Sequence, residues 1–318
     1  MHYTIKHVTR FRYSTPVSES VMEVRKQPLS ETNQRLLRFI LTTQPRSQVM
    51  SYMDHLHNTV HHFNIPGQHA QLTITAEALV QVTDLLALPA VLAPEAWGEL
   101  DAAVQGGEYY DFLLPSRFAV PSPALDELIH TLDFKRGRDP LTTIRNLNTA
   151  IYMSFAYAPN TTSVHSPIDD ALQQRRGVCQ DFAHIMITMA RSIGVPARYV
   201  SGYLVHRLQR PDRSQADATH AWIEVFLPGH GWVGFDPTNN LLAGRRHIRV
   251  AAGRDYDDVP PTRGVYRGKV SSELSVAVEV RPSEAPIEPA ASALVVSGWR
   301  AAEVDSSGDG AQEQQEQQ

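Results

Sequence analysis

Residues 175–204 read RRGVCQDFAHIMITMARSIGVPARYVSGYL. Within them Ile185, Met186, Met189 and Ala190 recur at helical spacing and give one apolar face, so a helix is expected from Cys179 to Ile193. Gly194 and then Pro196 mark its end. Cys179 therefore stands in the first turn, where unpaired N–H groups and the positive end of the macrodipole favour a thiolate over a thiol. The same N–H groups can stabilise an oxyanion developing on a substrate carbonyl. Gly177 permits a tight backbone approach just ahead of the cysteine. Arg175 and Arg176 either add positive potential there or point to solvent.

A cysteine nucleophile needs a base that takes its proton and later protonates the leaving amine. Reading outward, β-branched and aromatic residues mark strands at Ala197–Val205, Ala221–Phe226 and Trp232–Asp236. His220, in DATHAWIEVF, opens the second of these, and Asp236, in WVGFDPTNN, ends the third. A hairpin through Pro228–Gly231 brings the two side by side, so that the carboxylate fixes the imidazole tautomer and stabilises imidazolium. Cys179, His220 and Asp236 are the expected catalytic triad. The competing readings are a structural core cysteine, a plain strand histidine and an Asp-Pro turn.

On the N-terminal side, Tyr3, Ile5, His7 and Thr9 alternate with Thr4, Lys6 and Val8, and the pattern runs through Phe11 and Tyr13 to Pro16. Further strands are expected at Leu36–Thr42, Val49–Met53, Thr59–Ile65 and Gln71–Val82, with turns at Asp54–Asn58 and Pro66-Gly67. Residues 1–83 thus read as an N-terminal antiparallel β-sandwich. Residues 84–115, rich in Ala, Leu and Pro, read as a surface connector. Residues 116–280 form the catalytic unit, with helical spacing at Pro123–Leu132 and Leu141–Phe155 and a closing strand at Ser272–Val280. Residues 281–318 turn to Pro, Ala, Ser, Glu and Gln, and read as a disordered tail.

The bulk numbers narrow the partners. With 29 Lys and Arg against 34 Asp and Glu, the formal charge is -5 and the basic residues are scattered. That gives no electrostatic reason to expect nucleic acid or an anionic membrane. Cys179 is the single cysteine, which excludes an intramolecular disulfide and a multi-cysteine metal site. The first residues lack the apolar run of a signal peptide, and no stretch approaches the roughly 20 apolar residues of a bilayer span. A soluble cytoplasmic protein is expected.

GVCQDFAH, then DATHAWIEV, then GWVGFDPTN resembles the core of the transglutaminase-like superfamily, in the order Cys, His, Asp and with separations of 41 and 16 residues. The N-terminal strands resemble the N-terminal domain of bacterial transglutaminase-like proteins, and RDYDDVPPTRGVYRG resembles their closing segment. The resemblance covers residues 1 to 280. It implies an α+β fold, with a papain-like core whose nucleophile helix packs on an antiparallel sheet. It also implies thioester chemistry on an amide of a peptide or protein, by a protease or amidase; the alternatives are a cross-linking glutamine γ-glutamyltransferase and an inactive binding module. No cofactor or metal is called for, because no D-x-D-x-D-G calcium loop is present.

Tyr157, Gln180 and Trp222 are further candidates, as oxyanion donors or as support around the triad. Packing competes for Tyr157, and Trp222 reads as a shield. Asp181 suits the positive end of the helix. His184 lies about 140° round the helix from Cys179 and reads as structural. His55, His57, His61 and His62 tempt a metal reading, but the first two fall in a turn and the last two on opposite faces of a strand.

Overall fold

The computed structural model describes residues 1–31, 33–85, 87–159, 161–207, 212–216, 218–284 and 311–316. It has an α+β architecture with two antiparallel sheets. The first is organised by two long strands, β1 (His2–Val24) and, after β2 (Gln34–Gln44) and β3 (Met50–Met53), β4 (Thr59–Val82). Along the first half of β1 every second residue is buried, from Tyr3 to Tyr13, as a half-solvated strand requires. β1 pairs antiparallel with β4 from His2↔Gln81 to Val24↔His61, while β2 and β3 pair with β4.

An extended segment of 17 residues would span about 55 Å, yet Lys26 Nζ reaches the hydroxyl of Thr9. Tyr13 and Ser20 likewise touch through their hydroxyls at 3.2 Å. β1 therefore folds over at residues 13–18, where its register with β4 shifts. The expected sandwich is one continuous sheet doubled back on itself, with Phe11, Met22, Phe63, Leu72 and Ile74 packed between its halves. Pro16 and Pro66-Gly67, read above as ends of strands, lie inside β1 and β4. Gly67 takes φ +89 there and bends the strand without reversing it. The Asp54–Asn58 turn is present, with Asp54 Oδ1 accepting from the N–H groups of Leu56 and Asn58.

Residues 84–115 are more than a connector: α1 (Ala96–Gln105) forms there and buries Ala96 and Leu100. Next come α2 (Pro123–Thr131) and α3 (Pro140–Ser154), each with Pro at its start and a side-chain cap, from Ser122 and Asp139. A short parallel pair joins β5 (Ala156–Tyr157) to β6 (Arg176–Gly177) across α4 (Ile168–Gln174). α5 (Cys179–Ser192) is the central helix. It is buried on every side from Cys179 to Arg191, beyond the single apolar face its sequence suggests. The cause is its position, with α2, α3 and α4 on one side and a five-stranded sheet on the other. Several of its polar side chains bond to carbonyls: Thr188 donates to His184 O, and Arg191 to the carbonyls of Leu114, Ala197 and Arg254.

That second sheet comprises β7 (Ala197–Leu204), β8 (His220–Leu227), β9 (Gly231–Asp236), β10 (Leu241–Leu242) and β11 (His247–Gly253), in the order β10-β9-β8-β7-β11. The chain then returns to the first sheet. β12 (Thr262–Arg267) pairs with the second half of β1, and β13 (Ser272–Ser283) with the first half. The two sheets meet through Tyr3, Ile5 and Val80 on one side and Tyr203, Ile248 and Val250 on the other.

The tail reading is corrected at both described ends, since β13 runs on to Ser283 and residues 311–316 are ordered, and it otherwise falls on residues 285–310, 317 and 318, outside the described residues. β14 (Ala311–Gln315) pairs with β12, and Glu316 is fully buried. Its carboxylate accepts from His7 at 2.7 Å and pairs with Lys26 at 2.9 Å. Composition argued against order because it offered little apolar surface, whereas the anchor is a buried ion pair.

Candidate active site

Helix α5 starts at Cys179 because Asp181, two residues on, turns back to accept the Val178 N–H at 2.8 Å and the Thr162 hydroxyl at 2.7 Å. Burial raises the Asp181 carboxyl, against the pull of these two donors. Gly177 makes room for this return: a Cβ there would lie 2.6 Å from Asp181 Oδ2. The N-cap is Val178, whose side chain has no acceptor atom and makes no cap hydrogen bond. The N–H groups of Cys179, Gln180 and Asp181 have no helical acceptor either, so the first turn keeps its donors for another oxygen. Arg175 and Arg176 are both exposed.

β8 and β9 form the expected hairpin, with Ile223↔Phe235 in register and Leu227↔Gly231 at its closed end. At the open end His220 Nε2 lies 2.8 Å from Asp236 Oδ2. Cys179 lies close enough to the imidazole to help raise its pKa. With Nε2 held by Asp236, Nδ1 is the nitrogen left to face the sulfur. Cys179, His220 and Asp236 are 3%, 2% and 0% exposed, so the chain of contacts is dry. Burial alone would lower the His220 pKa; the Asp236 charge and hydrogen bond, with help from Cys179, outweigh it and raise the pKa to about 10. Burial would raise Asp236, but His220 and His247 hold it far below the carboxylate range. The arrangement keeps an imidazolium between a carboxylate and a sulfur.

The other candidates divide. Trp222 is fully buried and stacks on His220 at 6.0 Å between centroids, as a shield would. Tyr157 ends β5, paired with Gly177, and its hydroxyl accepts the Gln215 N–H at 3.2 Å. Burial and then the negative charge of Cys179 push its pKa up to about 12, so it stays a hydroxyl donor beside the sulfur. Gln180 is buried with its amide aimed at Val164 O, 3.5 Å away. His184 takes no part: it stacks on Phe118 and accepts the Tyr256 N–H at 3.2 Å. Of the N-terminal histidines, His61 is buried against Phe39 and His57 sits in the turn at φ +65.

Two residues around Asp236 had no visible role in the sequence. Asn239 donates to Asp236 Oδ2 at 2.8 Å, and its own side chain is held by Ser214. His247, at the start of β11, approaches the same oxygen at 3.2 Å through Nε2. Oδ1 meanwhile accepts from the N–H groups of Thr238 and Asn239 at 3.0 and 3.1 Å. Asn239 was in view within WVGFDPTNN; His247 reaches the site only because β11 pairs with β7.

His220, Asp236 and His247 bring their ligating atoms within 4.8 Å of one another. The proton on His247 argues for a hydrogen-bonded cluster over a metal centre. Its Nδ1 accepts the Gly244 N–H at 3.3 Å, so Nε2 carries the proton, whereas a metal-bound imidazole donates through its other nitrogen. A cavity of about 600 Å³ beside Tyr3, Arg207, Leu241 and Arg246 shares His247 with this cluster but does not include Cys179 in its wall.

Residues 132–237 match the transglutaminase-like superfamily, and residues 3–81 match the bacterial transglutaminase-like N-terminal region. The chain is 32% identical over 277 residues to an uncharacterized protein of Mycobacterium leprae, covering 87% of this chain and 97% of that one. It is 37% identical over 125 residues to a protein-glutamine gamma-glutamyltransferase of Pseudomonas aeruginosa, a match spanning 36% of this chain and 19% of that one. Among solved structures, a candidate cysteine protease from Cytophaga hutchinsonii superposes with a TM-score of 0.69 at 21% identity, over 91% of this chain and 93% of the other.

Proposed function

Because the chain belongs to the transglutaminase-like superfamily, we propose that it is a cysteine enzyme that hydrolyses an amide bond of a peptide or protein through a thioester on Cys179. The reading is carried by one observation, a buried imidazole held by Asp236 at 2.8 Å with Cys179 near enough to act on its charge. In the acylation step the sulfur lone pair attacks the amide carbon, and the carbonyl electrons move to oxygen. Open N–H donors of the first turn of α5, with Tyr157 beside them, suit that oxyanion. As the oxyanion collapses, the C–N bond breaks and the amine leaves with the proton from His220. Water then gives a proton to His220 while its oxygen attacks the thioester; collapse expels the thiolate and releases the carboxylic acid. Asp236 stays ionised throughout and holds the ring.

A second reading, transfer to an amine acceptor, draws on the 125-residue match to a glutamine γ-glutamyltransferase and on the burial of Cys179, which limits water at the thioester. The two separate in one experiment: incubation with glutamine-containing peptides and a labelled primary amine, followed by mass spectrometry. Free ammonia or peptide fragments, with no label taken up, are expected. Label on the peptide would replace hydrolysis by transfer. Products unchanged in Cys179→Ser, or no product together with Cys179 alkylation that rises only near the ordinary thiol range of about 8.5, would leave a binding module of the same fold.

A further inference from the structure

We infer that His247 is a fourth member of the proposed catalytic apparatus, a positioning residue that fixes Asp236 as an oriented anion; this rests on the cysteine-enzyme reading above. Two histidines converge on one carboxylate oxygen: His220 at 2.8 Å and His247 at 3.2 Å from Asp236 Oδ2. Their protonation differs by construction. The Gly244 N–H points at His247 Nδ1 and fixes that nitrogen as an acceptor, leaving the proton on Nε2. Burial keeps His247 neutral, against the attraction of Asp236 and with the added repulsion of His220 and Arg246. Asp236 thus receives a neutral donor on one side and a cationic one on the other, and His247 cannot compete for the charge that His220 needs.

The mechanical consequence follows from the strands. Asp236 ends β9, and a carboxylate there could rotate about its Cα–Cβ bond. Backbone N–H groups of Thr238 and Asn239 hold Oδ1, while His247 and Asn239 hold Oδ2. Trp222 closes the space between the two rings, 6.0 Å from His220 and 5.2 Å from His247. The charged groups near His247 are Asp236, His220 and its neighbour Arg246, which is itself paired with Asp212 at 2.7 Å. His247 touches no reacting atom; it acts through Asp236 on the direction of the His220 ring.

Two variants separate positioning from packing. His247→Gln keeps an N–H donor close to the Nε2 position, and His247→Leu keeps bulk without a donor. The readout is the rate of Cys179 alkylation by iodoacetamide from pH 5 to 9 in the full-length protein, which has a single cysteine, alongside melting temperature. With the donor lost, an oriented hydrogen bond to a charged group is missing, and the rate near pH 6 is expected to fall about tenfold in His247→Leu. His247→Gln is expected to stay within about twofold of the wild type. Equal rates in His247→Leu and wild type, or equal losses in both variants, would overturn the inference. A wild-type profile with no thiolate plateau below the ordinary thiol range would instead defeat the underlying triad, so the two failures are distinguishable.

Discussion

At the scale of single residues, the site depends on donors counted around one carboxylate and on space left for one return. Asp236→Asn preserves the shape but presents an N–H to His220 and removes the charge. Turnover on whichever amide substrate is established is expected to drop about 10²- to 10⁴-fold with little change in KM; an unchanged kcat would remove Asp236 from the mechanism. Gly177→Ala sets a methyl 2.6 Å from Asp181 Oδ2 and forces that carboxylate off the Val178 N–H. A loss of about 1–3 kcal/mol in urea unfolding is expected. The pairing of His220 with Asp236 was legible in the sequence because the motifs resemble a family in which Cys, His and Asp follow in that order, and the single cysteine gave a fixed point. His247 was not, since a histidine in RRHIRVAAG carries no signal until β11 is laid beside β7.

At the scale of elements, the edges explain how the site stays rigid. β11 ends the core sheet, and its outer backbone is met by amide side chains from the first sheet in place of another strand. Gln34 exchanges two hydrogen bonds of 2.8 Å with Arg249, and Asn58 pairs with Ala252 at 2.8 and 2.9 Å. These contacts blunt an edge that would otherwise invite pairing. Asn58→Ala strands both backbone groups in a buried seam, so a cost of about 2 kcal/mol or more is expected in urea unfolding; a change within experimental scatter would show that the seam is wet. Periodicity located the central helix and the β7, β8 and β9 strands closely. It failed where Pro16 and Pro66-Gly67 bend strands that continue, since proline and glycine mark a bulge and a turn alike. It failed also at α1, which Ala and Leu between prolines hid.

At the scale of the whole molecule, stability should pass through a maximum near neutral pH, because buried histidines pull in opposite directions. The His220 pKa is raised to about 10, so its contribution is complete below the unfolded value of roughly 6.5 and is lost as pH rises through 10. Burial lowers His184 to about 3, with Arg191 adding to it, and lowers His61 to about 4. Their contribution is complete above roughly 6.5 and is lost as pH falls towards those values. Urea midpoints measured from pH 3 to 10 should therefore peak near about 6.5; a steady rise to pH 9 would contradict the His220 assignment. The far end of the chain was illegible for a related reason: a strand of Gln and Glu looks unstructured until Glu316 is seen against Lys26. Glu316→Gln leaves that ammonium buried beside a neutral amide, and a loss of about 3–5 kcal/mol is expected, largely restored in a Lys26→Met, Glu316→Leu pair. No restoration would point to misfit of the strand. During synthesis, Lys26 emerges from the ribosome almost a full chain length before its counter-charge. A polypeptide released early, by a stalled ribosome or a late stop codon, would keep an uncompensated cation in its first sheet and stand out to quality-control proteases.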